Sequence, residues 1–156
     1  MIPIVYIAGR FRHYVIEDCE RVADTARMDM EWQDEAKWIR IIASEGFAWL
    51  APLHNTVPAE GYISDDQFVR LDLEHIGLLR PQFDCILLRP GWDALRDGDA
   101  RPEWYRAGAY EPSAGASKEY EKALERDLHF IHGNQGEDKV RAFLQERRAE
   151  LTETET

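Results

Sequence analysis

An α/β domain built on a mostly parallel sheet is the fold class this sequence predicts, on three observations. Short β-branched, apolar segments alternate with longer segments of helical period. Glycine and proline mark the joins at Gly9, Gly46, Pro52 and Pro90-Gly91. The length of 156 residues suits one domain with a sizeable core.

Ile2 to Ala8 reads as a buried strand ended by Gly9, and Arg10 to Arg27 as a mixed polar loop with a short helix. Glu31 to Glu45 reads as a helix with Trp32, Ala36, Ile39 and Ala43 on its apolar face and Gly46 as its stop. Phe47 to Leu53 reads as a second strand broken by Pro52, and His54 to Ser64 as a loop. Asp65-Asp66 offers the cap of a helix through Leu79. Phe83 to Leu88 is a third strand, followed by a polar loop from Asp93 to Glu111 that is long for a compact domain. A helix from about Ala116 to Leu128 leads to a fourth strand, Leu128 to Ile131. A charged helix from Glu137 to about Leu151 carries Val140, Phe143 and Leu144 on one face, and the closing Thr-Glu repeats read as frayed. In parallel sheets with right-handed crossovers, ligands bind beyond the strand C-termini. The stretches Gly9 to Arg12, Pro90 to Trp92 and Ser113 to Glu119 fall there.

The net charge of −11 argues against a nucleic-acid polymer as partner, because phosphate backbones need a basic face. It leaves room for a small anionic molecule held by local arginines. Two cysteines, Cys19 and Cys85, do not make a disulfide framework, and the expected compartment is cytoplasmic. There is neither a basic leader nor an apolar run near the ~20 residues of a membrane span, so no membrane partner is expected.

Two acids stand out. Pro112 to Glu119 is a small-residue turn opening a helix, with Glu119 expected in its first turn. A helix N-terminus carries roughly half a positive charge and unpaired N–H groups, so it can hold an anion and keep a nearby glutamate ionised. The same feature also reads as an acid merely matched to its helix dipole. Asp72 lies four residues from both Phe68 and Ile76, in the middle of an apolar helix face. A carboxylate there needs a partner or a pocket. It reads either as half of a catalytic pair with Glu119 or as a buried acid bound to an arginine or a loop. Arg10 and Arg12 follow the first strand and can clamp an anion or stay solvated. Tyr6 can orient an acid or fill the core, and Trp92 and Trp104 can stack on a base or anchor loops. His129 and His132 point to opposite faces of a strand, and His13, His54 and His75 are scattered. The dinucleotide, phosphate-loop and nucleophile-elbow glycine motifs are missing, and no metal or cofactor is expected.

These pieces in this order resemble the nucleoside 2-deoxyribosyltransferase superfamily. The matching residues are Tyr6-Ile7-Ala8-Gly9, Gly46 leading to Pro52, Arg70-Leu71-Asp72-Leu73, Asp84-Cys85-Ile86-Leu87-Leu88, and Ser113-Ala114-Gly115-Ala116 with Glu119. Leu88 to Trp92 looks most like small uncharacterised phage and bacterial members. The resemblance covers about Ile2 to His132 and implies a single-domain, flavodoxin/Rossmann-like three-layer sandwich of four to five strands. It would occupy residues 1–136 with an insertion at about 93–111, followed by a charged helix and tail at 137–156.

The resemblance also implies Glu119 as the nucleophile at the anomeric carbon, Asp72 as the acid assisting the departing base, and Tyr6 as the residue orienting Glu119. Ser113 stands where deoxyribosyltransferases carry an aspartate, and is similar to the 2'-deoxynucleoside 5'-phosphate N-hydrolase branch, where a serine contacts phosphate. Arg12 matches an arginine of that branch, whereas Arg10 replaces a serine. Gly9, Arg10, Arg12, Trp92, Ser113, Gly115 and Ala116 are then the expected substrate- and phosphate-binding residues. The implied activity is N-glycosidic cleavage of a (deoxy)nucleoside 5'-monophosphate. Base exchange between deoxynucleosides and a non-catalytic nucleotide-binding module are the alternatives. The family implies a homodimer or higher homo-oligomer, with Asn134 as the residue lent to a neighbour, and the insertion as a lid carrying Trp104, Tyr105 and Arg106.

Overall fold

A computed structural model describes residues 2–56, 64–93, 98–102 and 113–155. Its centre is a parallel sheet of β1 (Ile4–Ala8), β4 (Ala48–Leu50), β5 (Cys85–Leu88) and β6 (His129–His132), in the order β4-β1-β5-β6. Two-residue alternation sorts each central strand between two cores. Val5, Ile7, Cys85 and Leu87 face helices α1 (Thr25–Ser44) and α5 (Glu137–Glu155), where Trp38, Ile41, Ile42, Val140 and Leu144 cover them. Tyr6, Ala8, Ile86 and Leu88 face α3 (Asp65–Gly77) and α4 (Ala114–Glu125), against Ile76 and Ala123. The result is a doubly wound α/β sandwich of three layers. Its strand order reverses between β1 and β5, which opens a crevice at their C-terminal ends.

Several elements differ from the sequence expectations. Arg10 to Arg27 holds an antiparallel hairpin, β2 (Tyr14–Glu17) with β3 (Glu20–Ala23), in place of a loop and short helix. Asp18 and Cys19 turn it with φ of 48° and 64°, as a two-residue I′ turn requires. The usual glycine of such a turn is missing, so the sequence carries no clear signal for it. Helix α1 starts at Thr25, capped by the Asp24 side chain, six residues before the expected start. Its buried stripe is Met28, Glu31, Glu35, Trp38, Ile41 and Ile42, whereas Trp32, Ala36 and Ile39 lie at its margin and Ala43 is exposed. The expected face was wrong because two glutamates occupy the real one. Pro52 opens the short helix α2 (Pro52–Thr56), so the second strand ends at Leu50 and part of the expected loop is helical; residues 57–63 lie outside the described ones.

The cap of α3 is Ser64 and not Asp65-Asp66. Its hydroxyl accepts from the Gln67 amide while the Gln67 side chain accepts from the Ser64 amide, closing a capping box. Gly46, at φ 85°, ends α1 as expected. Helix α4 begins at Ala114 under the cap Ser113 and ends at Glu125, which puts Glu119 in the second turn and not the first. Helix α5 continues to Glu155, so the Thr-Glu tail is helical as far as that residue, where fraying was expected. At the far end of the sheet, buried Asp84 ties β1 to β5. It accepts from the Ile4 amide at 2.8 Å and the Arg80 amide at 2.7 Å, and pairs with the Arg80 guanidinium at 2.8 and 2.9 Å. Burial pushes its carboxyl up, but these donors outweigh it and hold Asp84 below the usual carboxylate range. Among the described residues no helix is long and apolar enough to cross a membrane.

Candidate active site

Three side chains from three elements meet on the α3/α4 face, beside the crevice. Tyr6 is the inward residue of β1 on that face and is fully buried. Glu119 shares the buried stripe of α4 with Ala116 and Ala123, whose small side chains let the helix approach the sheet. Asp72 sits half-buried on α3 between half-buried Phe68 and buried Ile76, as the periodicity predicted.

Each of the three carries an unsatisfied oxygen. Among the described residues, Tyr6 Oη, Asp72 Oδ1 and Glu119 Oε2 are buried without a hydrogen-bond partner. The Tyr6 hydroxyl and the Glu119 carboxyl interact, yet their approach falls short of full hydrogen-bond geometry. Burial is also the main cause of their altered acidity. It pushes Glu119 up to about 8, with the fields of Asp72 and Glu35 adding to the rise and Tyr6 and Arg89 opposing it. It pushes Asp72 up to about 7, helped by Glu35, and holds the Tyr6 phenol well above its ordinary value. The helix N-terminus therefore does not keep Glu119 ionised, as the sequence had suggested; desolvation wins.

Glu35, which no sequence motif singles out, lies in the buried stripe of α1. It is 1% exposed and accepts from the amides of Leu53 at 3.4 Å and His54 at 3.1 Å, at the start of α2. Its Oε1 also lies 2.9 Å from His54 Nδ1, and the His54 ring stacks on Trp32 with centroids 3.8 Å apart.

No motif gives Arg89 a role either. It follows β5 directly, and the alternation of Cys85 and Leu87 sends it to the α1 face, where it is 1% exposed. Its Nη1 lies 3.1 Å from Asp34 Oδ2 and 3.4 Å from both the Glu31 carboxylate and the Glu31 carbonyl. Its Nη2 donates to the Arg10 carbonyl at 2.7 Å. Burial favours loss of its proton, but Glu31, Asp34 and Glu35 outweigh that and hold Arg89 charged. Buried His13 extends the group, with Nε2 3.7 Å from Glu31 Oε2. The signal for Glu31 and Glu35 was present: both fall at helical spacing with Met28, Trp38 and Ile42.

The remaining expected binding residues divide between the crevice and the scaffold. Gly9 stands against Arg89, for a Cβ there would lie 2.6 Å from the guanidinium Nε. Arg10 and Arg12 are half-buried at the same edge; Arg10 Nε donates to the Gly91 carbonyl at 3.3 Å, and Arg12 lies over the Phe11 ring. Trp92 packs on Tyr120 with ring centroids 5.0 Å apart, a packing role in this structure. The Ser113 amide donates to the Trp92 carbonyl at 2.9 Å, which brings the two flanks of the insertion together. The Ser113 hydroxyl accepts from the Ala116 amide at 3.2 Å, so that amide is already engaged and is not open to a phosphate. Beside Gly115 a Cβ would meet nothing within 4 Å. Asn134 accepts from the Ala100 amide at 2.7 Å through its carbonyl. Trp104, Tyr105 and Arg106 lie outside the described residues.

A separate cavity of about 230 Å³ lies on the α1/α5 side, walled by Trp38, Pro90 and Pro102 with Asp34 and Lys37 at its margin. It does not include Tyr6, Asp72 or Glu119. No protein-family model matches the chain, and neither a curated protein nor a solved structure matches it significantly.

Proposed function

We propose that the protein is an N-glycosidase that cleaves the base–sugar bond of a (deoxy)nucleoside 5'-monophosphate. One observation carries the reading: Tyr6, Asp72 and Glu119 converge from β1, α3 and α4 at the crevice with unsatisfied buried oxygens. Glu119 attacks the anomeric carbon as the C–N bond breaks, and the bond's electron pair leaves with the base. Asp72 protonates the departing nitrogen, then takes a proton from the water that releases the sugar from Glu119. Tyr6 orients the Glu119 carboxylate. Arg12, the Ser113 hydroxyl proton and the amides of Ala114 and Gly115 would meet the phosphate.

The acidities bear on the pH dependence. Attack needs Glu119 ionised, and departure of the base needs Asp72 protonated, whereas the free site holds Glu119 at about 8 and Asp72 at about 7. The active protonation state is thus a minor one, which positive charge developing on the sugar favours. A narrow bell-shaped pH profile is expected, with its maximum between about 7 and about 8.

The test is incubation with a panel of nucleosides and nucleoside 5'-monophosphates, with released base measured by chromatography. Glu119→Gln is expected to lower turnover by at least about a thousandfold. Full turnover by that variant overturns the assignment. Product that forms only with a second free base identifies an exchange reaction, and saturable binding without base release identifies a binding module.

A further inference from the structure

We infer that Arg89 is a positioning residue of this site, whose guanidinium sets the Gly9–Arg10 turn from below and supplies a fixed positive charge behind Glu119. The inference rests on the glycosidase reading and adds to it a residue to which no motif had given a role.

The alternation of β5 calls for an apolar side chain at this position, as at Cys85 and Leu87. A fully buried guanidinium among acids is often no more stabilising than apolar residues of similar size, so stability alone does not account for it. Its contacts point to the crevice. The Arg89 amide donates to the Ala8 carbonyl at 2.8 Å, and its Nη2 donates to the Arg10 carbonyl at 2.7 Å, so one residue grips both sides of Gly9. Gly9 is fitted to it, since a Cβ there would collide with Nε, Cζ and Nη2 at 2.6 to 2.8 Å. Arg10 in turn donates to Gly91, beyond the other strand of the crevice. The turn leading to Arg12 is thereby fixed from β5 and α1 together. The groups whose fields reach Glu119 are Tyr6 from β1, Asp72 from α3, Glu35 from α1 and Arg89 just after β5, and Arg89 is the cation among these four.

The experiment compares Arg89→Lys, Arg89→Met and Asp34→Asn with the parent. Arg89→Lys keeps the charge and loses the fork; it is expected to raise KM for the monophosphate about tenfold while leaving the pH profile in place. Arg89→Met also removes the charge; because the reactive protonation state is the minor one, Glu119 sets the basic limb, which is expected to move up by about one pH unit while the maximum of kcat falls about tenfold. Asp34 is partly exposed, and Asp34→Asn, which loosens one anchor of the fork, is expected to raise KM less and leave the limb unmoved. Parental KM in both Arg89→Lys and Asp34→Asn overturns the inference, as does a parental limb in folded Arg89→Met. If Arg89→Met does not fold, the other two variants decide. If the parent releases no base from any nucleotide, the glycosidase reading fails. Carbon-13 NMR titration of the Glu119 carboxyl then decides the inference: a midpoint that rises in Arg89→Met and not in Arg89→Lys supports it, and an unchanged midpoint overturns it.

Discussion

Glu119 is a carboxyl kept where its charge is poorly solvated, and this has a consequence for folding. The unfolded chain loses this proton near the ordinary value of 4.5, and the folded chain near 8. Between those values the folded state binds more protons, so stability falls as pH rises through that window and then levels off. Glu119→Gln, which has no proton to lose, is expected to unfold at higher temperature than the parent at pH 9, by an amount on the order of 3 kcal/mol in stability, and to differ little at pH 4. Thermal unfolding at the two pH values checks this; equal differences at both remove the argument. At this scale the sequence was informative for Asp72, which broke an apolar face at i±4. Glu31 and Glu35 broke another face in the same way. They were overlooked because Trp32, Ala36 and Ile39 offered a rival stripe with no acid in it. For Arg89 the run Leu88 to Trp92 carried no sign of its role, because its side-chain partners are some 55 to 79 residues away in sequence.

At the scale of elements, the order of the parallel strands and their helices was legible because each of those strands is short and meets a Gly or Pro within two residues of its end. Boundaries were less so where side chains cap in ways the pattern does not weigh, as at Asp24, Ser64 and Ser113. The hairpin was lost for want of a glycine at its turn. Asp84 joins elements more than it belongs to one. It holds the entry to β1 against the entry to β5, and its removal leaves two main-chain amides and a guanidinium without their acceptor. Asp84→Ala is expected to cost about 3 kcal/mol. Because the fold depresses this carboxyl, its contribution is also lost as pH falls below the ordinary 3.8. Chemical denaturation of the variant at pH 7 measures the first effect, and a difference under about 1 kcal/mol sinks the idea that Asp84 is a structural tie.

Taken as a whole, the molecule is uneven in protection. β1 and β5 lie at the centre of the sheet, and residues 5–8 and 85–88 are buried throughout. The β2–β3 hairpin forms its own two-stranded sheet, and seven of its eight strand residues, all but Val15, are exposed. Amide hydrogen exchange is therefore expected to be slowest in β1 and β5, and several orders of magnitude faster in β2 and β3. Comparable rates in the two sheets would contradict this picture. The α/β class with a parallel sheet was readable from alternation alone. The site's electrostatics were not, since they arise from β1, α1, α3, α4 and β5 closing on one volume.

The hairpin turn also gives the chain a built-in address for chemistry. Of the two thiols, Cys85 is buried in β5 and pushed up to about 11, while Cys19 stands exposed at the tip of the turn. A thiol-directed fluorophore or spin label would therefore attach at one place without any engineering. That place is joined through β2 to the Gly9–Arg12 edge, so a reporter at Cys19 would register what the crevice does without touching it.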